Sequence, residues 1–177
     1  MLASNISYQT YVSIHKAQFL NYKSRMTHLK QGDKAPDFSG KDQKGNTIKL
    51  ADFAGKKVIL YFYPKDLTPG CTAQACNFRD NAALLKAKGF AVVGVSADDE
   101  KMHKKFVEKH DLNFSLLADT DKKIITDYGV WGPKKFMGRN YDGINRETFV
   151  IGENGQIEHV IEKVQTKTAT EQILELY

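Results

Sequence analysis

The chain of 177 residues contains two cysteines, Cys71 and Cys76, which lie five positions apart. Both belong to the segment YFYPKDLTPGCTAQAC, residues 61–76, which begins in an apolar run. Two cysteines are too few for the disulfide framework of a secreted protein, and a reducing compartment favours a reactive pair. Four residues separate them, whereas dithiol redox motifs of the Cys-x-x-Cys kind have two. The pattern indicates one activated thiolate with a second thiol nearby.

The segment around the first cysteine reads as the start of a helix over residues 68–88. Thr68 is a good N-cap, and Pro69 suits the first helical position because its missing N–H is not needed there. Cys71 then occupies the third helical position, where unpaired N–H groups and the helix dipole favour an anion. A thiolate is such an anion, so we expect the Cys71 thiol to be unusually reactive.

The predicted helix carries an apolar stripe in 4-3-4-3 spacing that should face the sheet and half shelter its first member. The stripe consists of Cys71, Ala75, Phe78, Ala82 and Leu85. The alternative interpretation of Cys71 is a small buried hydrophobic residue, since free cysteines are often buried. The helix-start position favours the reactive thiolate.

The second cysteine cannot reach the first while the helix is intact. Five residues of ideal helix separate two Cα atoms by about 8.6 Å and turn them about 140° around the axis. A disulfide requires Cα atoms within roughly 7 Å. Either the thiols never pair, or pairing requires the first turns to unwind. Alone, Cys76 could also be an inert, partly buried thiol.

Composition argues against several other classes of function. The two cysteines do not converge on one ion, and the histidines at 15, 28, 103, 110 and 159 lack ligand spacing, so no metal is indicated. Of the net charge of +5, residues 1–25 supply +3 (two Lys, one Arg, no acid), which leaves +2. No basic stripe with interleaved aromatics suggests nucleic-acid binding, and no apolar run approaches the roughly 20 residues of a membrane span.

Strand-like and helix-like segments alternate after the first part of the chain, which predicts an α/β domain with a mixed central sheet flanked by helices. Buried strands are expected at 58–63 and 90–96, with a hairpin at 36–50 and another around residue 154. Further elements are predicted at 98–110 (helix), 115–118 (strand), 122–128 (helix), 146–151 and 157–163 (strands) and 168–176 (helix). The loop GPKKFMGRN, residues 132–140, reads as a mobile surface loop that could border substrate or reductant.

Residues 1–25 form a basic, acid-free leader that we expect to be disordered, outside a domain of residues 26–177. The leader lacks the apolar core of a secretory signal. Its composition resembles that of an organelle transit peptide. The favoured alternatives are an extension without function, or translation that starts at Met26. The protein is therefore expected in the cytoplasm, or in an organelle if the leader is a transit peptide.

The segment from Pro64 to Cys71 resembles the Pro-x-x-x-Thr-x-x-Cys signature of the peroxiredoxins, with Thr68 at the threonine position. The longer TPGCTAQACNFRD resembles the branch named for bacterioferritin co-migratory protein, or PrxQ. The similarity extends over residues 28–177 and includes KQGDKAPDF, VVGVSADDEKMHKKF and YGVWGPKKFMGRNYDGINRETFVI. Pro133 departs from it, because an acidic residue is more usual there. The resemblance implies a thioredoxin-like fold with an N-terminal hairpin.

The resemblance also assigns roles to residues. Cys71 would be the peroxidatic cysteine that attacks hydrogen peroxide or an organic hydroperoxide, and Cys76 the resolving cysteine that forms an intramolecular disulfide. Thr68 would hydrogen-bond the peroxide, Pro64 would shield the pocket, and Arg146 would stabilise thiolate and peroxide oxygen. Thioredoxin or a similar dithiol would be the reductant, with no cofactor, and the protein would be a monomer. A thiol–disulfide reductase and a non-enzymatic redox sensor are the competing hypotheses.

Overall fold

The computed structural model describes residues 29–136 and 138–177. The predicted leader, residues 1–25, lies outside the described residues. Within them, no helix has the length and apolar character needed to cross a membrane.

A seven-stranded mixed sheet forms the centre of the domain. Its strands are β1 (Ser39–Asp42), β2 (Thr47–Lys49), β3 (Lys57–Phe62), β4 (Phe90–Ser96), β5 (Ser115–Ala118), β8 (Glu147–Ile151) and β9 (Ile157–Ile161). They lie in the order β2-β1-β5-β4-β3-β8-β9. The inner strands β3, β4 and β5 pair in parallel, whereas β8 and β9 continue antiparallel beyond β3, and β1 joins β5 antiparallel. The predicted mixed sheet with an N-terminal hairpin is confirmed.

Helices cover both faces of this sheet. They are α1 (Pro69–Asp80), α2 (Ala82–Ala87), α3 (Glu100–His110), α4 (Lys123–Asp127) and α5 (Ala169–Leu174), with a 3₁₀ turn at Leu50–Phe53. The single helix predicted over 68–88 is wrong, because the helix breaks at Asn81. The Asn81 side chain donates to the carbonyl of Asn77 at 2.9 Å. Asparagine competes for helix carbonyls in this way and therefore favours helix ends over helix interiors.

The central strand β3 separates two apolar layers by its alternation. Val58, Leu60 and Phe62 join the layer that contains α4. Ile59 and Tyr61 join the opposite layer, where α1, α3 and α5 pack. Because successive side chains of a strand point to opposite faces, β3 fixes which side of the sheet carries the cysteine helix.

A second, two-stranded sheet occupies the stretch predicted as a mobile surface loop. Strands β6 (Trp131–Phe136) and β7 (Arg139–Ile144) pair antiparallel, with Gly138 at φ 76° in the turn between them. The prediction of a loop is therefore wrong. Residues 138–142, GRNYD, are exposed, and their sequence lacks the regular alternation of apolar and polar residues that marks a half-buried strand.

Gly94 in β4 provides a test of this packing. A Cβ atom on Gly94 would lie 2.7 Å from Leu116 Cδ2 and 2.8 Å from the Tyr61 ring. We expect Gly94→Ala to lower the free energy of unfolding by about 1–3 kcal/mol, the usual cost of overpacking a core. Denaturant unfolding measures it. Gly40→Ala is the matched control, since its Cβ would meet ordinary contacts from 3.4 Å; equal stability of the two variants would contradict the packing described.

Candidate active site

Cys71 occupies the third position of α1, as predicted. Thr68 is the N-cap residue with extended backbone angles, Pro69 is the first helical residue, and the first turn closes from Thr72 N–H to the Thr68 carbonyl at 2.9 Å. The Cys71 side chain is 1% exposed, so it is buried and not merely half sheltered. The thiol therefore lies at the positive end of a helix and in an apolar layer.

Arg146 contacts this thiol from a distant part of the sequence. Its Nη2 donates to Cys71 Sγ at 3.1 Å, and its Nη1 donates to Gln74 Oε1 at 2.6 Å. Arg146 immediately precedes β8, which pairs antiparallel with β3 so that Glu147 lies opposite Phe62. Arg146 thereby comes beside the chain where it leaves β3 for α1, and its guanidinium faces the Cys71 sulfur.

Gln74 is a member of the site that the sequence reasoning missed. Its side chain is fully buried, and its Oε1 holds the Arg146 guanidinium. Its Nε2 finds no acceptor among the described residues. Gln74 stands three positions after Cys71, so both share one helix face. A polar residue on the sheet-facing side of an apolar stripe was the signal that could have revealed it.

Thr68 and Pro64 lie in the loop between β3 and α1. The Thr68 side chain does not cap the helix; its Oγ1 donates to the Lys65 carbonyl at 3.0 Å. The capping bond expected from the sequence is therefore not made, because the hydroxyl is oriented towards the loop carbonyl and does not accept from a first-turn N–H. The oxygen lone pairs remain available as acceptors. Pro64 is exposed.

A buried polar network fixes this loop. The Asp66 carboxylate accepts from Tyr63 Oη at 2.7 Å and approaches His103 Nδ1 at 2.8 Å, and Asp66 N–H donates to Asp98 Oδ2 at 2.9 Å. Leu67 follows with φ 59°, a conformation that is strained for a residue with a side chain. The hydrogen bonds of this network fix the loop and so hold Leu67, and with it the adjoining Thr68, in place.

Charges and burial around the site shift several pKa values. Lys134 of β6 is half-buried, and its ammonium donates to the Ile144 carbonyl at 2.5 Å. Burial, and then the positive charge of Arg146, lower the pKa of Lys134, while the negative charge of Cys71 opposes them. Burial raises the pKa of Glu147 to about 7, with a smaller effect from Glu162. Lys134 is thus within electrostatic range of both Arg146 and Cys71.

Aromatic side chains pack in the same apolar layer as Cys71. Tyr61 lies fully buried, stacked on Tyr63 at 5.3 Å between ring centroids and tilted against Phe78 at 5.1 Å. Burial, followed by the negative charges of Asp66 and Cys71, raises the pKa of Tyr61 well above its usual range. The phenol is therefore neutral, and this face of the site is water-poor.

Cys76 lies on the same intact helix and is half-buried, and both thiols are free. A continuous helix keeps Cα atoms five residues apart at about 8.6 Å, beyond disulfide range. The structure thus corresponds to a reduced state with separated thiols. Among the described residues, no cluster of three or more His, Cys, Asp or Glu side chains could hold a metal ion.

Known proteins share both the sequence and the fold. The sequence pattern of the AhpC/TSA family matches residues 31–160. Peroxiredoxin Bcp of Escherichia coli (strain K12) is 48% identical over 149 residues, which cover 84% of this chain and 96% of the relative. Peroxiredoxin Bcp of Bacillus subtilis (strain 168) is 44% identical over 145 residues, with coverages of 76% and 92%.

A solved structure of the bacterioferritin comigratory protein of Xanthomonas campestris, described with alkyl peroxide reduction activity, superposes with a TM-score of 0.75. It is 29% identical, and the match covers 84% of this chain and 95% of that one. These similarities confirm the family and the thioredoxin-like fold predicted from the sequence. The chain belongs to the AhpC/TSA family, among the peroxiredoxins of the Bcp and PrxQ type, which are thiol-dependent peroxidases.

Proposed function

We propose that this peroxidase reduces hydrogen peroxide and organic hydroperoxides at Cys71, resolves the product with Cys76, and is recycled by thioredoxin or a similar dithiol. The observation that carries the proposal is the guanidinium of Arg146 placed 3.1 Å from the buried Cys71 sulfur. A buried thiolate needs a cation with hydrogen-bond donors, and arginine provides a planar fork of them.

In the first step, the Cys71 thiolate attacks one oxygen of the peroxide. An S–O bond forms, the O–O bond breaks, and the departing oxygen takes a proton and leaves as water or an alcohol, so that Cys71 becomes a sulfenic acid. Arg146 stabilises the thiolate and the charge that moves onto the peroxide oxygens. Thr68 Oγ1, whose own proton goes to Lys65, accepts a hydrogen bond from the peroxide O–H.

Pro64 completes the pocket in this proposal by limiting the access of water to the reacting atoms. Its support is its position in the loop that leads from β3 to the cysteine helix, where its ring is exposed. Bulk at this point shields a thiolate without offering a hydrogen-bond donor, because a proline nitrogen carries no proton.

In the second step, the Cys76 thiol condenses with the sulfenic acid. The Cys71–Cys76 S–S bond forms, and the oxygen leaves as water with the thiol proton. The separation of the thiols on an intact helix means that the turn between them must first unwind. A dithiol reductant then transfers two electrons and two protons to the disulfide, which restores both thiols.

The remaining parts of the proposal are a monomeric protein that works in the cytoplasm without a cofactor, a nucleic-acid partner or a membrane. The two curated relatives named above are bacterial proteins, and they give no support to the transit-peptide alternative for residues 1–25. We retain the division into a leader and a domain of residues 26–177.

Arg146→Lys tests the role of the guanidinium. The substitution keeps one positive charge but cannot make the paired bonds to Cys71 and Gln74. We expect the second-order rate constant for oxidation by hydrogen peroxide to fall about tenfold or more, the effect of losing a charge-assisted hydrogen bond. Single-turnover kinetics measures it. Arg139→Lys makes the same change at an exposed position; similar losses in both variants would refute a specific role for Arg146.

Cys76→Ser tests the resolving role. We expect this variant to consume one peroxide per chain and then stall as a sulfenic acid or form disulfides between chains, because the intramolecular thiol is missing. Turnover with thioredoxin, thioredoxin reductase and NADPH measures it. Cys71→Ser is the reference that loses activity completely. Normal cycling by Cys76→Ser would remove Cys76 from the mechanism, and more than a few per cent activity in Cys71→Ser would remove Cys71.

A further inference from the structure

The side chain of Asn77, directly after Cys76, joins α1 to the beginning of α5. Its Nδ2 donates to the Lys167 carbonyl at 3.0 Å and to Glu171 Oε2 at 3.2 Å, and its Oδ1 accepts from Thr170 N–H at 2.8 Å. All hydrogen-bonding atoms of the amide thus bind one short stretch of chain. Neither the sequence signature nor the proposed mechanism accounts for these bonds.

Helix α5 relies on this amide for its N-terminal cap. Thr168 is the N-cap residue, but its hydroxyl donates to Gln165 Oε1 at 3.1 Å instead of capping the helix. The Thr170 N–H, one of the groups left without an intrahelical partner, donates to Asn77 instead. Asn77 is therefore an N-cap that another helix supplies, so the two helices hold each other at this point.

The part of α1 that begins at Asn77 is held on other sides as well. Arg79 Nη1 donates to the His110 carbonyl at 2.5 Å, and Asn113 donates to the Arg79 carbonyl at 3.3 Å. Phe78 is fully buried against Tyr61. Residues 77–80 are thus attached to α5, to the end of α3 and to the sheet.

The part that holds the two cysteines is attached differently. From Cys71 to Cys76, the side-chain hydrogen bonds within the described part of the chain are those of Cys71 and Gln74, and both lead to Arg146. Oxidation of Cys71 to a neutral sulfenic acid removes the charge that Arg146 binds. The bond then loses its ionic component, which weakens it. Oxidation therefore loosens the first half of α1 and leaves the second half in place.

We infer that Asn77 is the fixed end of the unwinding segment, and that its bonds to α5 determine how readily the turn carrying Cys76 opens. This inference rests on the proposed Cys71–Cys76 disulfide. It makes Asn77 a positioning residue that acts through the helix and does not touch the peroxide. The bonds oppose displacement of the backbone next to Cys76, which must move towards Cys71 before the thiols can meet.

The consequence is a choice between two fates of the sulfenic acid. In the open helix, Cys76 condenses with it, and water leaves. In the closed helix, a second peroxide transfers an oxygen to the same sulfur, which gives a sulfinic acid and water or an alcohol. The ratio of sulfinic acid to disulfide at a given peroxide concentration therefore reports the opening of α1.

Asn77→Ala tests the inference. We expect the ratio of sulfinic acid to disulfide to fall about tenfold. The substitution lowers the free energy needed to open the helix by roughly the net contribution of one hydrogen bond. The full-length protein is cycled with the thioredoxin system at rising hydrogen peroxide. Mass spectrometry of the tryptic peptide 66–79, which carries both cysteines, then quantifies the two products.

Gln172→Ala is the matched control. Gln172 ties the beginning of α5 to Lys163 and Gln165 at 2.9 Å each and makes no hydrogen bond to α1. It should lower thermal stability as Asn77→Ala does, but leave the product ratio unchanged. Glu171→Ala removes one Asn77 contact from the α5 side and should lower the ratio by a smaller factor.

The outcomes separate this inference from the function on which it rests. If the wild-type protein yields no Cys71–Cys76 disulfide, the proposed function fails. If the disulfide forms and Asn77→Ala gives the wild-type ratio, only the role of Asn77 is overturned. That role is also overturned if Gln172→Ala lowers the ratio as much as Asn77→Ala, because general destabilisation of α5 would then suffice.

Discussion

The contact between the Arg146 guanidinium and the Cys71 sulfur is the interaction on which the rest of the site depends. It joins residues 75 positions apart at 3.1 Å. It requires β8 to pair with β3, and α1 to follow β3 after the short loop of residues 63–68. It also requires Gln74 to hold the second arm of the guanidinium. A buried thiolate without such a partner would be strongly disfavoured by desolvation.

The same helix must satisfy two opposing requirements. In the proposed mechanism, the intact helix presents Cys71 to the peroxide and to Arg146, and the unwound helix lets Cys76 reach the oxidised sulfur. The two halves of α1 differ in their contacts in a way that suits these two requirements. Up to Cys76 the side-chain bonds of the helix lead to a partner whose attraction depends on the charge of the thiolate, whereas from Asn77 onward the attachments are independent of redox state. Local opening can thus be confined to a few turns of an otherwise stable domain.

The sequence was sufficient for the elements with a strong pattern. Strands β4 and β5 have the predicted bounds, and Cys71 has the predicted helical position, because short apolar runs and the Thr-Pro start are local signals. The role of Arg146 was predicted from the family resemblance, since no local pattern reveals a contact between residues 75 positions apart. Gln74, the break at Asn81 and the β6–β7 hairpin were missed. Each depends on tertiary context or on side-chain competition that periodicity does not record.

The most direct test of this mechanism is the mass of the fully reduced protein after one equivalent of hydrogen peroxide, without added thiol. We expect a loss of two hydrogens, located in the tryptic peptide 66–79, which would show that the helix opens and that Cys71 pairs with Cys76. A gain of one oxygen on Cys71 with Cys76 still free would contradict the pairing. An unchanged mass would contradict the assignment of Cys71 as the residue that reacts with peroxide.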